Sequence, residues 1–285
     1  MTELNAKQEF ILITGVSSGI GYDAVRFLVQ KGYFVFGSVR KQEDIDRLEK
    51  EFPDNFKGLL FDVRHKKSIG EAKQEVEKIL NGRSMTALVN NAGLSIPGPM
   101  SMIPDDDFAI QLEVNVIGVR NVTNAFLPFL GMDLEFKGKP GKIINISSLS
   151  GIFNSPFSGS YCVSKHALES LGEIYRRELM MFGIDVISIQ PGPIKSDIWE
   201  KNLGLMNRYK GTAYDHYAEV ADKIISHAEK HALPTETISR LIYKIIQNER
   251  PKVSYMVTKN KLLMHLAKRL PARMLDKLIW KRLNK

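Results

Sequence analysis

Phe10-Ile11-Leu12-Ile13-Thr14-Gly15-Val16-Ser17-Ser18-Gly19-Ile20-Gly21 decides the fold. Glu9 to Thr14 holds a continuous apolar run that reads as a buried strand ending in a turn. Gly15, Gly19 and Gly21 follow, and then Ala24, Val25, Leu28 and Val29 recur at helical spacing. Strand, glycine-rich turn and helix together make a phosphate site. The turn lets the backbone approach a pyrophosphate, and the helix N-terminus offers unpaired N–H groups and a partial positive charge. The spacing is G-x-x-x-G-x-G and not G-x-G-x-x-G, so the physics is that of a dinucleotide site but the family is a different one. Glycines also mark ordinary βα turns, so the stretch needs support from elsewhere.

Working outward, strand-like runs at 9–14, 34–38, 58–61, 86–90, 141–146, 185–190 and 252–257 alternate with helical patterns. That alternation predicts an α/β chain: one Rossmann-like, doubly wound parallel sheet of about seven strands with helices on both faces. A length of 285 residues suits one large domain of this kind, and 44% hydrophobic residues are ample for its core. The dinucleotide-binding and catalytic domain is expected over 1–258, with 193–232 as a substrate-binding segment, followed by a basic amphipathic extension over 259–285. Asn91-Ala92-Gly93 follows the strand Leu88–Asn90, and Ser147-Ser148 follows Ile143–Ile146. Ligands of such sheets bind beyond the carboxyl ends of the strands, where these residues cluster.

The second strand, Phe34-Val35-Phe36-Gly37-Ser38, ends at Val39, Arg40 and Lys41. NAD sites commonly put a carboxylate there to hold the adenosine ribose. A carboxylate would repel a 2′-phosphate, whereas a guanidinium binds one through two parallel hydrogen bonds. The expectation is NADP(H) in preference to NAD(H), with Arg40 as the discriminating group, although a solvated loop pair is the plainer alternative. Asp62, with Val63, follows the Gly58–Phe61 strand and is placed to accept from an adenine amino group.

Tyr161 and Lys165 lie four residues apart, and Ser148 precedes the tyrosine by thirteen. Positions i and i+4 share a helix face, so the ammonium is expected near the phenol, favouring the phenolate and lowering a pKa that is ordinarily near ~10. An oxidised nicotinamide would add a second positive charge. Tyr161 then serves as proton donor or acceptor, and Ser148 hydrogen-bonds the substrate oxygen. With the upstream glycines, this predicts hydride transfer between a nicotinamide and a carbonyl or alcohol. Cys162 shares no face with Tyr161, so packing is expected of it, as of His166; the six histidines have no metal-ligand spacing.

These motifs resemble the short-chain dehydrogenase/reductase family over about residues 8–200. The resemblance implies a cofactor turn at Thr14–Gly21, including Gly15, Ser17, Ser18, Gly19, Ile20 and Gly21. It implies Asn91, Ala92 and Gly93 beside the riboses, and Pro191-Gly192-Pro193-Ile194 with Ser196 around the nicotinamide. Asn115, Ser148, Tyr161 and Lys165 are implied as catalytic, Asn115 by disturbing a long helix and holding a proton-relay water. Ser18 stands where many NADP-using relatives have a basic residue. Gly37-Ser38-Val39-Arg40 and the length beyond the core are similar to the hydroxysteroid and retinol dehydrogenase branch. A homo-oligomer, dimer or tetramer, is also implied. The alternative reading is a catalytically silent NADP(H)-binding sensor or membrane-associated scaffold.

Residues 193–232 carry Trp199, Leu203, Leu205, Met206, Tyr209, Tyr214 and Tyr217, which suggests a small lipophilic substrate such as a steroid, retinoid or fatty aldehyde or ketone. Closure of the core would use the same side chains. Phe153–Phe157 is expected to form another pocket wall.

The formal charge of +8 is local. Residues 259–285 hold nine Lys or Arg and one acid, Asp276, and 9 − 1 = +8; the first 258 residues then hold 31 basic and 31 acidic side chains. Leu262, Leu263, Leu266 and Leu270, then Leu275, Leu278, Ile279 and Leu283 after Pro271, predict two short amphipathic helices. Such a segment suits an anionic membrane surface, the pocket mouth or a partner subunit. Nucleic acid is not expected, because the rest of the chain is neutral and lacks a reading motif. No run reaches the ~18 apolar residues of a membrane span. The polar Met1–Gln8 shows no signal-peptide pattern and the single cysteine fits a reducing compartment, so a cytoplasmic location, peripherally membrane-associated through the tail, is the expectation.

Overall fold

Seven parallel strands form one sheet in the order β3-β2-β1-β4-β5-β6-β7, with β1 Phe10–Thr14, β2 Phe34–Val39, β3 Phe56–Leu60, β4 Ala87–Asn90, β5 Lys142–Ile146, β6 Asp185–Pro191 and β7 Ser254–Val257. This computed structural model describes residues 8–196, 202 and 204–284. The period-2 alternation of side chains builds two cores from the same strands. Ile11 and Ile13 of β1 face one layer, where they meet Ala24, Val25 and Leu28 of α1 (Gly19–Gln30), Ile45 and Leu48 of α2 (Gln42–Glu51), and Ile238 and Ile242 of the helix Glu236–Gln247. Phe10 and Leu12 face the other, against Ile69, Ala72 and Val76 of α3 (Lys66–Leu80) and Val122 and Phe126 of α5 (Val119–Phe126). A sheet buried on both faces explains the continuous apolar run at the start of β1.

The strand order reverses between β1 and β4, which opens a crevice above their carboxyl ends. β3 begins at Phe56, two residues earlier than the apolar pattern places it. Lys57 interrupts that pattern, and it is tolerated because β3 is an edge strand where its ammonium pairs with Glu49 and Glu75, each at 3.1 Å. Between α4 (Asp105–Leu112) and α5 the chain makes a π-helical turn over Glu113–Gly118. The irregular segment after β6 contains a 3-10 turn, Leu205–Tyr209, and a helix, Asp215–Lys230. The chain ends in helices Lys261–Ala267 and Ala272–Leu283, broken at Pro271 as the leucine pattern predicts. No helix among the described residues is long and apolar enough to cross a membrane.

Candidate active site

The end of β1 is bolted to the end of β4. Thr14 Oγ1 accepts from the backbone N–H groups of Asn91 (3.0 Å) and Ala92 (2.9 Å), and Asn91 Nδ2 donates to the carbonyls of Thr14 and Gly15, both at 2.9 Å. Gly15 N donates to the backbone carbonyl of Ser38 at 3.0 Å and to its hydroxyl at 3.1 Å, tying in β2. Gly15 has φ +70°, which glycine adopts without strain. At Gly21 a Cβ would lie 2.3 Å from the Gly15 carbonyl oxygen and 2.5 Å from Asn91 Nδ2, so the turn closes only around a missing side chain. Ser18 caps α1 in extended conformation without a side-chain hydrogen bond to it, and the first turn carries no acid. The N–H groups of an uncapped first turn suit an anion.

A cleft of about 330 Å³ runs from this turn over Ser38, Val39, Arg40, Phe61, Asp62 and Val63. A second cleft, also about 330 Å³, adjoins it and is lined by Ser148, Tyr161, Lys165, Pro191, Gly192, Ile194 and Ser196. Ile20, Asn91, Gly93 and Leu94 belong to both, so one continuous groove joins the glycine turn to the tyrosine. An adenosine at one end, a pyrophosphate over the uncapped helix and a nicotinamide riboside at the other would fill it in the order the residues predict.

α6 (Gly159–Glu178) carries the tyrosine and lysine on one face. Burial pushes the Tyr161 phenol up to about 12, against the opposing pull of a hydrogen bond with Ser148. The ammonium lies over the tyrosine ring, as the i, i+4 spacing predicts, but burial overrides the expected lowering of the phenol's pKa. Lys165 Nζ donates to the Ile146 carbonyl at 2.9 Å and lies 5.7 Å from the centre of the tyrosine ring. Its own pKa is lowered to about 8 by burial, with the carboxylate of Glu169 opposing the shift. Ser148 caps the short turn Leu149–Gly151, its hydroxyl accepting from Ser150 N at 3.1 Å.

Asn115 sits in the π-helical turn and is only 1% exposed. Its Oδ1 accepts from Leu94 N, and its Nδ2 donates to Leu94 O and Ser164 Oγ, each at 2.9 Å. The side chain therefore clamps the loop after β4 to α6.

Asp62 lines the groove, and its carboxylate also accepts two hydrogen bonds from the Arg64 guanidinium (3.1 and 2.9 Å) and one from Arg64 N. Burial would raise its pKa, and Arg64 more than reverses that and holds it low. Phe153–Phe157 is not the cavity wall; Phe157 stacks on Tyr217 with ring centres 5.1 Å apart, and the wall is supplied by Leu94, Leu149 and Pro193. Met206 and Tyr209 are buried in packing rather than lining the groove, and a Cβ on Gly98 would lie 2.4 Å from the Tyr209 hydroxyl, which is why the segment can dock there. Trp199 and Leu203 lie outside the described residues. Cys162 is buried with its thiol pKa raised by that burial, as expected of a packing residue.

Two contributors were missed by sequence reasoning. Asn202 is buried and lines both halves of the groove, with no motif to mark it. Arg47 of α2 donates to the Ser17 carbonyl at 2.8 Å across thirty residues, a contact set by packing of α2 against the turn.

The profile of the short chain dehydrogenase family matches residues 9–204. The chain is 39% identical over 277 residues to an NADPH-dependent 3-dehydrocapnine reductase of Ornithobacterium rhinotracheale, covering 97% of this chain and 98% of that one. It is 31% identical to a 3-ketodihydrosphingosine reductase of Bacteroides thetaiotaomicron, covering 85% of each. Retinol dehydrogenase 16 of Homo sapiens is 32% identical over 68% of this chain and 60% of its own length, in keeping with the resemblance to that branch. A short-chain dehydrogenase structure from Streptomyces avermitilis superposes with TM-score 0.78 at 23% identity over 98% of both chains. The groove thus belongs to a recognised lineage, and the chain is a member of the short chain dehydrogenase family, an NAD(P)-dependent oxidoreductase of carbonyl and alcohol groups.

Proposed function

We propose that this protein is an NADP(H)-dependent ketone reductase acting on a small lipophilic substrate, with residues 1–258 as its catalytic domain. The observation that carries the reading is the convergence of Ser148, Tyr161 and Lys165 on one groove continuous with the glycine turn. Reduced nicotinamide, when bound, supplies the hydride to the carbonyl carbon. Tyr161 donates its phenolic proton to the carbonyl oxygen. A phenol held near 12 remains protonated at neutral pH, which suits an acid in the reductive direction. Ser148 hydrogen-bonds the phenol and holds the substrate oxygen in line with it. Lys165, anchored on Ile146, presents an ammonium to the ribose and restores the tyrosine's proton. Asn115 is a positioning residue that fixes α6 against the loop at Leu94.

Arg40, exposed at the adenosine end where β2 finishes without a carboxylate, supports a preference for NADP(H). The name of the 39% identical reductase supports it too. Leu94, Pro97, Leu149, Pro193 and Ile194 give the substrate end apolar walls. Two relatives are named for reducing a ketone at carbon 3, and a long-chain ketone of that type is the substrate class proposed here. A homo-oligomer in the cytoplasm completes the reading. The test is a panel of 3-keto long-chain amino compounds, steroids, retinoids and fatty aldehydes, followed by loss of NADPH absorbance. Turnover of the long-chain ketones above the rest supports the proposal. Tight NADPH binding with no turnover of any of them supports the silent sensor instead.

A further inference from the structure

The two C-terminal helices present apolar side chains to solvent in a region that also holds all the chain's excess positive charge. No residue of Lys261–Ala267 is buried. Leu262 is 75% exposed, Leu266 lies one turn further on its side of the helix, and Leu263 is exposed as well. In Ala272–Leu283, Leu275, Ile279 and the buried Leu283 recur every four residues on the inward face. Met274, Leu278 and the 61% exposed Trp280 point away from it. Helical spacing places Lys277 and Lys281 on the outward side between Leu278 and Trp280, so ammonium groups stand among the exposed apolar side chains. Exposed apolar side chains, Trp among them, interleaved with cations have the chemistry of an interfacial helix.

We propose that helices 261–267 and 272–283 dock the enzyme on an anionic lipid bilayer, with Leu262, Leu263, Leu266 and Leu278 entering the headgroup boundary and the flanking lysines and arginines meeting lipid phosphates. Charge complementarity selects this occupant. Residues 259–285 carry nine Lys or Arg against Asp276 alone, while the remainder of the chain is balanced, so the attraction is confined to this face. A second copy of the chain would bring the same +8 face against itself and would have to overcome that repulsion. The inference stands apart from the proposed reaction.

The experiment is co-sedimentation of the full chain with phosphatidylglycerol/phosphatidylcholine vesicles and with phosphatidylcholine alone. The expected result is binding at least about tenfold tighter to the anionic vesicles, weakened as salt shortens the screening length toward ~3 Å at 1 M. Leu263→Glu with Leu266→Glu and Leu278→Glu should abolish it, and Lys277→Glu with Lys281→Glu should remove the anionic preference. NADPH fluorescence confirms that each variant is folded. Recovery of the wild type in the supernatant with both vesicles overturns the proposal. So does equal partitioning of the wild type and the folded triple variant. A triple variant that turns an oligomer into a monomer, with no vesicle binding by the wild type, assigns the face to a second copy and also overturns it.

Discussion

Lys165 Nζ hydrogen-bonds the carbonyl of Ile146, the last residue of β5, at 2.9 Å. The helix that carries Tyr161 is thereby tied to the end of β5, and the same ammonium lies 5.7 Å from the centre of the Tyr161 ring. The position of the ammonium then depends on tertiary placement as well as on the i, i+4 spacing of Tyr161 and Lys165.

Removing the proton donor should stop the chemistry and leave the cofactor site whole. Tyr161→Phe is expected to lower kcat by about 10²–10⁴-fold with NADPH affinity nearly unchanged, measured by steady-state kinetics beside fluorescence titration. Wild-type turnover in this variant would mean that another group supplies the proton.

Arg40 should discriminate between the two nicotinamide cofactors. A charge-assisted hydrogen bond is worth about 1.5–3 kcal/mol, so Arg40→Ala should weaken NADPH by roughly tenfold or more and spare NADH. An unchanged ratio of the two affinities would remove Arg40 from phosphate recognition.

The charge on Lys165 should set an alkaline limit to activity. Burial lowers its pKa to about 8, and Glu169, one helical turn further on, opposes the shift. Glu169 Oε2 accepts from Gln190 Nε2 at 2.9 Å, while its Oε1 is buried without a hydrogen-bond partner. Tyr161 and the Ile146 carbonyl also face the ammonium. Because the folded pKa lies below the ordinary lysine value, the cation is present below about pH 8 and lost above it. Glu169→Gln removes the opposing negative charge, so the alkaline limb of kcat/KM should move to lower pH. A limb that stays in place would show that Lys165 does not govern it.

The turn should tolerate no side chain at its third glycine. The Cβ of Gly21→Ala would press on Gly15 O and Asn91 Nδ2. Overpacking of this sort costs about 1–3 kcal/mol, so urea denaturation should show that loss of stability together with weaker NADPH binding. A variant with wild-type values for both would mean that the turn relaxes freely.

The sheet was legible because a strand buried on both faces is predominantly apolar, and local sequence records that directly at Phe10–Thr14. β3 was less so: Lys57 hides its first residues, and only the edge position with Glu49 and Glu75 at hand explains the lysine. The glycine turn and the Tyr161–Lys165 pair were likewise readable, since each chemistry needs particular residue types at a fixed short spacing.

What the sequence alone determined was therefore whatever depends on neighbours along the chain: strand and helix identity, the glycine turn, the spacing of Tyr161 and Lys165 and the location of the positive charge. Only the tertiary structure decided which partners those side chains take. It gave the Asp62 carboxylate to Arg64, the Lys165 ammonium to Ile146, the Asn115 amide to Leu94 and Ser164, and the walls of the groove to residues other than Phe153–Phe157. Such pairings are set by distances between elements far apart in sequence, and a hydrogen bond made across a packed interface leaves no periodic trace in the residues that make it.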